Sequence, residues 1–177
     1  MSTRVDLRSR IRDIPDFPKA GIVFKDITPL LLDHEAMTAA VDQLAAWARP
    51  LEVDYVLAAE ARGFILGAVL AERLGAGFVP ARKPGKLPYE TVSAEYILEY
   101  GVDVLEMHKD ALGDGHRVLV HDDLLATGGT AKALCDLVDK LGGEVAGCGF
   151  LIELAFLEGR KRLAPYEVHS LISYDSE

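Results

Sequence analysis

The stretch Val118-Leu119-Val120-His121-Asp122-Asp123-Leu124-Leu125-Ala126-Thr127-Gly128-Gly129-Thr130 sets an apolar strand before two carboxylates, a short loop, and the start of a helix. Two glycines let the main chain turn sharply and bring its N–H groups close to an anion. A helix that begins here adds unsatisfied N–H groups and the positive end of its dipole. Thr127 and Thr130 add hydroxyl donors. Together these parts form a cradle suited to a phosphate monoester. Asp122 and Asp123, at the carboxyl end of the strand, stand where open α/β sheets bind ligands and are suited to holding vicinal sugar hydroxyls. Neither an Asp-Asp pair nor a Thr-Gly-Gly-Thr turn is informative alone. Joined between an apolar strand and a helix, they acquire the structural context that a motif needs.

Outward from this stretch, strands and helices alternate. Tyr55–Ala59 reads as a strand, Gly63–Leu74 as a helix stopped by Gly75, and Phe78–Pro80 as a short strand. After the central motif, Ala131–Leu141 reads as a helix stopped by Gly142-Gly143, and Val145–Ile152 as a strand apolar enough to be buried on both faces. His34–Ala48 carries Met37, Val41, Leu44, Ala45 and Ala48 on one side, the period of a helix. The alternation predicts a single α/β domain over 1–177 with a central, mainly parallel sheet flanked by helices. The first forty residues, interrupted by Pro15, Pro18, Gly21 and Pro29, read largely as loops. Residues 82–109 open on Arg82-Lys83-Pro84-Gly85-Lys86-Leu87-Pro88 and continue in alternating segments, which predicts an antiparallel excursion or lid.

The 177 residues carry a net charge of −9. That argues against a general nucleic-acid binder, which needs a broad basic surface, but not against a small anion held by a local set of cations. Arg82, Lys83 and Lys86 make the densest such set in the chain. No apolar run approaches the roughly 18 residues of a membrane span, and Arg4 and Asp6 fall where a secretory signal would be apolar, so a cytoplasmic protein is expected. Cys135 and Cys148 lack metal-pair spacing and read as buried structural thiols. No Gly-Lys-Ser or Gly-Lys-Thr is present. Gly75-Ala76-Gly77 is followed at position 80 by proline and lies where a helix ends, which excludes a dinucleotide fingerprint.

The central motif resembles the phosphoribosyl pyrophosphate binding segment of the type I phosphoribosyltransferases. Phe17-Pro18-Lys19-Ala20-Gly21-Ile22-Val23-Phe24-Lys25-Asp26-Ile27-Thr28-Pro29, Glu60-Ala61-Arg62-Gly63-Phe64, Leu98-Glu99-Tyr100-Gly101 and the basic segment from Arg82 to Pro88 are similar to the adenine-specific branch, in the expected order along nearly the whole chain. The resemblance implies transfer of a 5-phosphoribosyl group to adenine, giving AMP and pyrophosphate. It implies that Ala126, Thr127, Gly128, Gly129 and Thr130 hold the 5′-phosphate, that Asp122 and Asp123 hold the ribose hydroxyls, and that Arg62, Arg82, Lys83 and Lys86 reach the pyrophosphate. Some of the basic residues would do so across a homodimer interface.

For the base, the resemblance implies a hood formed by about residues 1–33, with main-chain groups of Val23 and Lys25 reading adenine and Phe24 and Leu154 walling the ring. Lys25 stands where arginine is common in the branch, and His121 where an apolar residue is usual. Glu99, in the lid, matches a carboxylate placed near the base to assist proton movement. Mg2+ would arrive with pyrophosphate rather than on a protein site of its own. Members of the superfamily often hold a cis non-proline peptide in the pyrophosphate loop, here Glu60–Ala61. A transferase for another base, or a non-catalytic sensor of the sugar donor, remain the alternatives. The second would need a basic face or DNA-binding extension, for which a short acidic chain offers no material.

Overall fold

In the computed structural model, which describes residues 5–98 and 101–176, the chain starts with a two-stranded antiparallel ribbon. It consists of β1 (Arg12–Pro15) and β2 (Val23–Asp26), with Asp13 opposite Lys25 and Ile14 opposite Phe24. This corrects the expectation of loops. Two strands of four residues are too short to display alternation, and the turn formers that mask them build the turn itself: Asp16 accepts a hydrogen bond from the Gly21 N–H at 2.9 Å.

Helices α1 (Thr28–Leu32) and α2 (His34–Ala48) follow. The second starts where Asp33 accepts hydrogen bonds from the N–H groups of Glu35 and Ala36, an N-cap that satisfies two otherwise orphaned donors. Strand β3 (Tyr55–Ala59) leads into α3 (Arg62–Leu74), which ends at a left-handed Gly75, and then into β4 (Gly77–Ala81). Residues 82–109 contain an antiparallel hairpin, β5 (Thr91–Leu98) with β6 (Gly101–His108), as the alternation predicted. Strand β7 (Arg117–Leu125), helix α4 (Gly129–Lys140), β8 (Glu144–Leu154) and β9 (Val168–Tyr174) complete the chain. Strand β9 has no counterpart in the sequence reading. It is an edge strand, mostly half-buried, with polar and apolar residues mixed, so neither a continuous apolar run nor a clean period marks it.

The five strands of the main sheet are parallel, in the order β4-β3-β7-β8-β9. Leu119 and Val56 pack with Leu44, Ala45, Leu70 and Ala71, so α2 and α3 cover one face. Val118, Val120 and Phe150 pack with Leu134, Val138, Leu105 and Met107, so α4 and the hairpin cover the other. With helices or a hairpin on both sides, β7 and β8 are buried almost throughout, which explains their unbroken apolar runs. Cys135 on α4 and Cys148 on β8 are buried free thiols with sulfurs 3.8 Å apart. Their hydrogen bond and burial push the Cys135 thiol up, so it stays protonated.

Candidate active site

The connection after β3 leads to β4 on one side of the sheet, and the connection after β7 leads to β8 on the other. The carboxyl ends of β3 and β7 therefore flank the crevice of a topological switch point, where open parallel sheets bind ligands. Strand β7 runs four residues further than its apolar core predicted. Its pairing with β3 stops at Ala58 opposite His121, whereas its pairing with β8 continues through Asp122, Leu124 and Leu125. Asp122 and Asp123 thus sit on a segment still held by β8 but open on the β3 side.

Past Leu125 the chain turns through Ala126, Thr127 and Gly128, and α4 opens at Gly129. Gly128 has φ +84°, a left-handed conformation that side chains disfavour. A cleft of about 210 Å3 follows this turn, lined by Arg62, Tyr96, Ile97 and the continuous run from Asp122 to Ala131. An adjoining cavity of about 220 Å3 shares Arg62, Tyr96, Asp122, Asp123 and Thr130 and adds Glu60, Ala61 and Lys83. The Glu60–Ala61 peptide is cis, as the resemblance implied.

The first turn of α3 places Arg62 over the paired carboxylates. Its Nε donates to Asp123 Oδ2 at 2.6 Å, with the Asp123 side chain only 6% exposed. Burial works against the guanidinium charge, but the Asp123 carboxylate outweighs it and raises the Arg62 pKa. Asp122 behaves in the opposite way. Its Oδ1 accepts from the Asp123 N–H at 2.9 Å and lies so close to Gly63 that a Cβ there would stand 2.8 Å away. Burial first, and the charge of Asp123 second, push its carboxyl well above the usual range. Of two adjacent carboxylates, one is thus paired with a cation and the other favours its neutral form.

A carboxyl group with a raised folded-state pKa favours folding below its unfolded pKa, and that contribution is lost as pH rises through the folded value. Asp122→Asn is therefore expected to raise Tm at pH 8 relative to the parent, with the gain shrinking toward pH 4, while lowering turnover. Thermal melts at the two pH values check this; an equal or lower Tm at pH 8 contradicts it.

The basic segment is tied down rather than left as a solvated tip. Glu60 accepts from the Lys83 N–H at 2.6 Å and from Arg82 at 3.3 Å. Arg82 also forms a two-way main-chain bridge to Glu106 on β6. Lys83 Nζ pairs with Asp103 and donates to the Tyr96 hydroxyl at 3.0 Å. Burial opposes the Lys83 charge, yet those two partners hold its pKa above the ordinary lysine value. Lys86 is exposed nearby. Glu60 entered the sequence reading only through its motif and its peptide bond, and Tyr96 not at all; neither was expected to hold the basic segment. A glutamate after a strand and a tyrosine in an alternating hairpin carry no signal until the fold brings them to Lys83.

On the other side, Phe24 of β2 packs edge-on against Phe17, centroids 5.2 Å apart, and lies 5.3 Å from the Arg62 guanidinium. Lys25, its neighbour, points the other way: it is 5% exposed, pairs with Asp13 at 2.8 Å and sits 4.3 Å from the Tyr174 ring centroid. Successive strand residues face opposite sides, so the ribbon presents Phe24, not the Lys25 side chain, toward Arg62. Leu154 ends β8 opposite Tyr174. Glu99 lies outside the described residues.

His121 is fully buried, because β8 and α3 both close over it. Its Nδ1 lies 2.9 Å from the Gly149 carbonyl, and burial holds its pKa down at about 4. The unfolded chain binds that proton near the ordinary 6.5. Stability should therefore fall as pH drops from 6.5 to 4, by up to about 3 kcal/mol for this group. Denaturant melts across that window should give a flatter profile for His121→Gln; equal slopes would place the titration elsewhere.

The phosphoribosyl transferase domain is the family whose model this chain matches, over residues 30–176. That range takes in the crevice, the basic segment and strands β3 and β7, which flank the switch point. An adenine phosphoribosyltransferase of Rubrobacter xylanophilus is 62% identical over 95% of this chain and 91% of its own length. The crystal structure of adenine phosphoribosyltransferase from Thermoanaerobacter pseudethanolicus superposes with a TM-score of 0.94 at 56% identity, covering 97% of this chain and all of that one. The enzyme of Saccharomyces cerevisiae, solved with adenine and an imino-altritol bisphosphate, gives 0.90 at 37% identity over 94% of this chain and 96% of its own. The chain belongs to the adenine phosphoribosyltransferase family.

Proposed function

We propose that this chain transfers the 5-phosphoribosyl group of phosphoribosyl pyrophosphate to adenine, giving AMP and pyrophosphate, a salvage reaction. The observation that supports it most is the convergence of the Ala126–Thr130 turn, the Asp122–Asp123 pair and Arg62 on one cleft. The N–H groups and hydroxyls of Ala126, Thr127, Gly128, Gly129 and Thr130 bind the 5′-phosphate. Asp122 and Asp123 take the ribose hydroxyls. Arg62 and Lys83, both lining the adjoining cavity, bind the pyrophosphate, with Arg82 and Lys86 completing the cationic set, in part across a homodimer.

The bond from the anomeric carbon to pyrophosphate breaks as a base nitrogen attacks, and positive charge gathers on the sugar ring between the two events. The task of the residues is to stabilise the leaving anion and to orient the base. Adenine stacks against Phe24, walled by Leu154 and read by the main chain of Val23 and Lys25, with Glu99 assisting proton movement. Lid closure over 82–109 excludes the water that would otherwise hydrolyse the donor.

Mg2+ keeps its phosphate oxygens and takes few carboxylates, so the ion would be held chiefly by substrate oxygens, with Asp122 or Asp123 as its protein neighbours. Bound there, the ion would neutralise charge on pyrophosphate. Among the described residues no helix is long and apolar enough to cross a membrane.

Because the Lys25 side chain is anchored to Asp13 and Tyr174, Lys25→Arg is expected to leave adenine turnover within a few-fold. A hundredfold loss in steady-state kinetics, about 2.7 kcal/mol, would give the side chain a direct role. The activity itself is tested by supplying the sugar donor and Mg2+ with adenine, hypoxanthine, xanthine and orotate in parallel. AMP formed from adenine at far the highest kcat/KM is the expected outcome. Preference for another base, or donor binding without turnover, would contradict it.

A further inference from the structure

The turn that cradles the phosphate rests on a second piece of main chain that no role yet covers. Between β8 and β9, residues Gly159–Leu163 form a 3-10 turn. Gly159 is buried, and it faces the cradle backbone to backbone. A Cβ on Gly159 would run into the Ala126 carbonyl oxygen and stand 3.1 Å from the Gly128 nitrogen and 3.0 Å from Leu125. In the reverse direction, a Cβ on Gly128 would lie 2.6 Å from the Gly159 carbonyl oxygen and 3.3 Å from Arg162. The two segments are fitted glycine to glycine, the nearest atom to an added Cβ at either position being a carbonyl oxygen of the other segment.

What fixes the supporting turn is the neighbouring residue. Arg160 grips Glu153 with two hydrogen bonds, Nε to Oε1 at 2.6 Å and a terminal nitrogen to Oε2 at 2.7 Å. It also donates to the Val168 carbonyl at 2.6 Å and to the Ser170 hydroxyl at 3.1 Å. Glu153 is one residue from the end of β8, its side chain 5% exposed, and it also accepts from Ser170. A planar guanidinium is the side chain that can satisfy a carboxylate bidentately and still reach two further acceptors. Strands β8 and β9 are thereby tied through one arginine to the turn on which the cradle lies.

We infer that Gly159 and Arg160 are positioning residues for the phosphoribosyl group: Arg160, locked on Glu153, holds Gly159 against Ala126 and Gly128 and so sets where the cradle's N–H groups point. The inference rests on the proposed binding of the 5′-phosphate at that cradle. None of these side chains is among the groups proposed to bind the base. A disturbance here is therefore read in the affinity for the phosphorylated sugar and not in that for adenine.

Three variants test it: Gly159→Ala, Arg160→Gln, and the double variant Glu153→Gln with Arg160→Gln, which leaves no unpaired buried charge. Each is followed by thermal melting, by KM for both substrates, and by calorimetric titration with ribose 5-phosphate. Gly159→Ala should raise the donor KM at least about tenfold, with the adenine KM changed less than about threefold. Arg160→Gln should lower Tm and raise the donor KM. The double variant should recover most of the Tm yet keep the raised donor KM and weakened ribose 5-phosphate binding. Recovery of donor KM together with Tm would make the pair merely structural and overturn the inference, as would unchanged donor KM in a folded Gly159→Ala. If Gly159→Ala does not fold, the two Arg160 variants decide on the same criteria. A parent enzyme that turns over no adenine would contradict the proposed function instead, and ribose 5-phosphate titration would still decide the positioning role.

Discussion

Gly128→Val is expected to weaken phosphoribosyl pyrophosphate binding by at least about a hundredfold, some 2.7 kcal/mol, while the sheet and α4 remain folded. Sequence reasoning points to a valine side chain blocking close approach of the phosphate. The structure gives a different cause. The side chain at this position is directed at the Gly159 carbonyl oxygen, 2.6 Å from an ideal Cβ, and not into the cleft. With φ at +84°, a β-branched residue is also strained in place. The turn must move or change conformation, and its N–H groups then no longer converge on one point. Calorimetric titration with the donor, alongside far-ultraviolet circular dichroism, checks both halves of the expectation. Unchanged affinity in a folded variant would remove the turn from the binding site.

A loss as large is expected for Arg62→Ala. The guanidinium serves two purposes that fail together. It is the ion-pair partner of Asp123, which is 4% exposed, and it lines both the phosphate cleft and the adjoining cavity. Without it, the Asp123 carboxylate faces the cleft with no cation against it, so an incoming polyanion meets repulsion where it met attraction. The Arg62 side chain is itself 52% exposed, so the loss falls on binding the anion more than on folding, and kcat/KM should fall by roughly a hundredfold, about 2.7 kcal/mol. Arg62→Lys should recover only part, because an ammonium cannot span carboxylate and phosphate as a planar fork does. Steady-state kinetics with the donor varied distinguishes these outcomes. A fall of less than tenfold in Arg62→Ala would mean that the basic segment alone binds the pyrophosphate.

Four of the five strands of the main sheet were legible, β7 and β8 because burial on both faces writes long apolar runs, and helices α2, α3 and α4 because period and stop signals agree. The cleft was legible where unusual residue types stand together, as in Asp122 to Thr130, which line it. Legibility failed where structure depends on partners distant in sequence. Strand β7 extends past His121 because β8 runs beside it, which no local pattern records. His121 is buried by Gly67 and β8, residues that say nothing of it in one dimension. The Glu153–Arg160 pair links two strands through a short turn and reads in sequence as two ordinary surface charges. The cations at 82 and 83 were apparent, but their acidic partners Glu60 and Asp103 lie 23 and 20 positions from Lys83.

The most direct measurement of the central claim is a crystal structure of the protein with AMP bound. The phosphate should lie within hydrogen-bond distance of the main-chain N–H groups between Ala126 and Thr130. The ribose hydroxyls should face Asp122 and Asp123, and adenine should stack on Phe24 beneath the ribbon of β1 and β2. AMP seated elsewhere, or seated here with its base away from Phe24 and its phosphate away from the turn, would contradict the account.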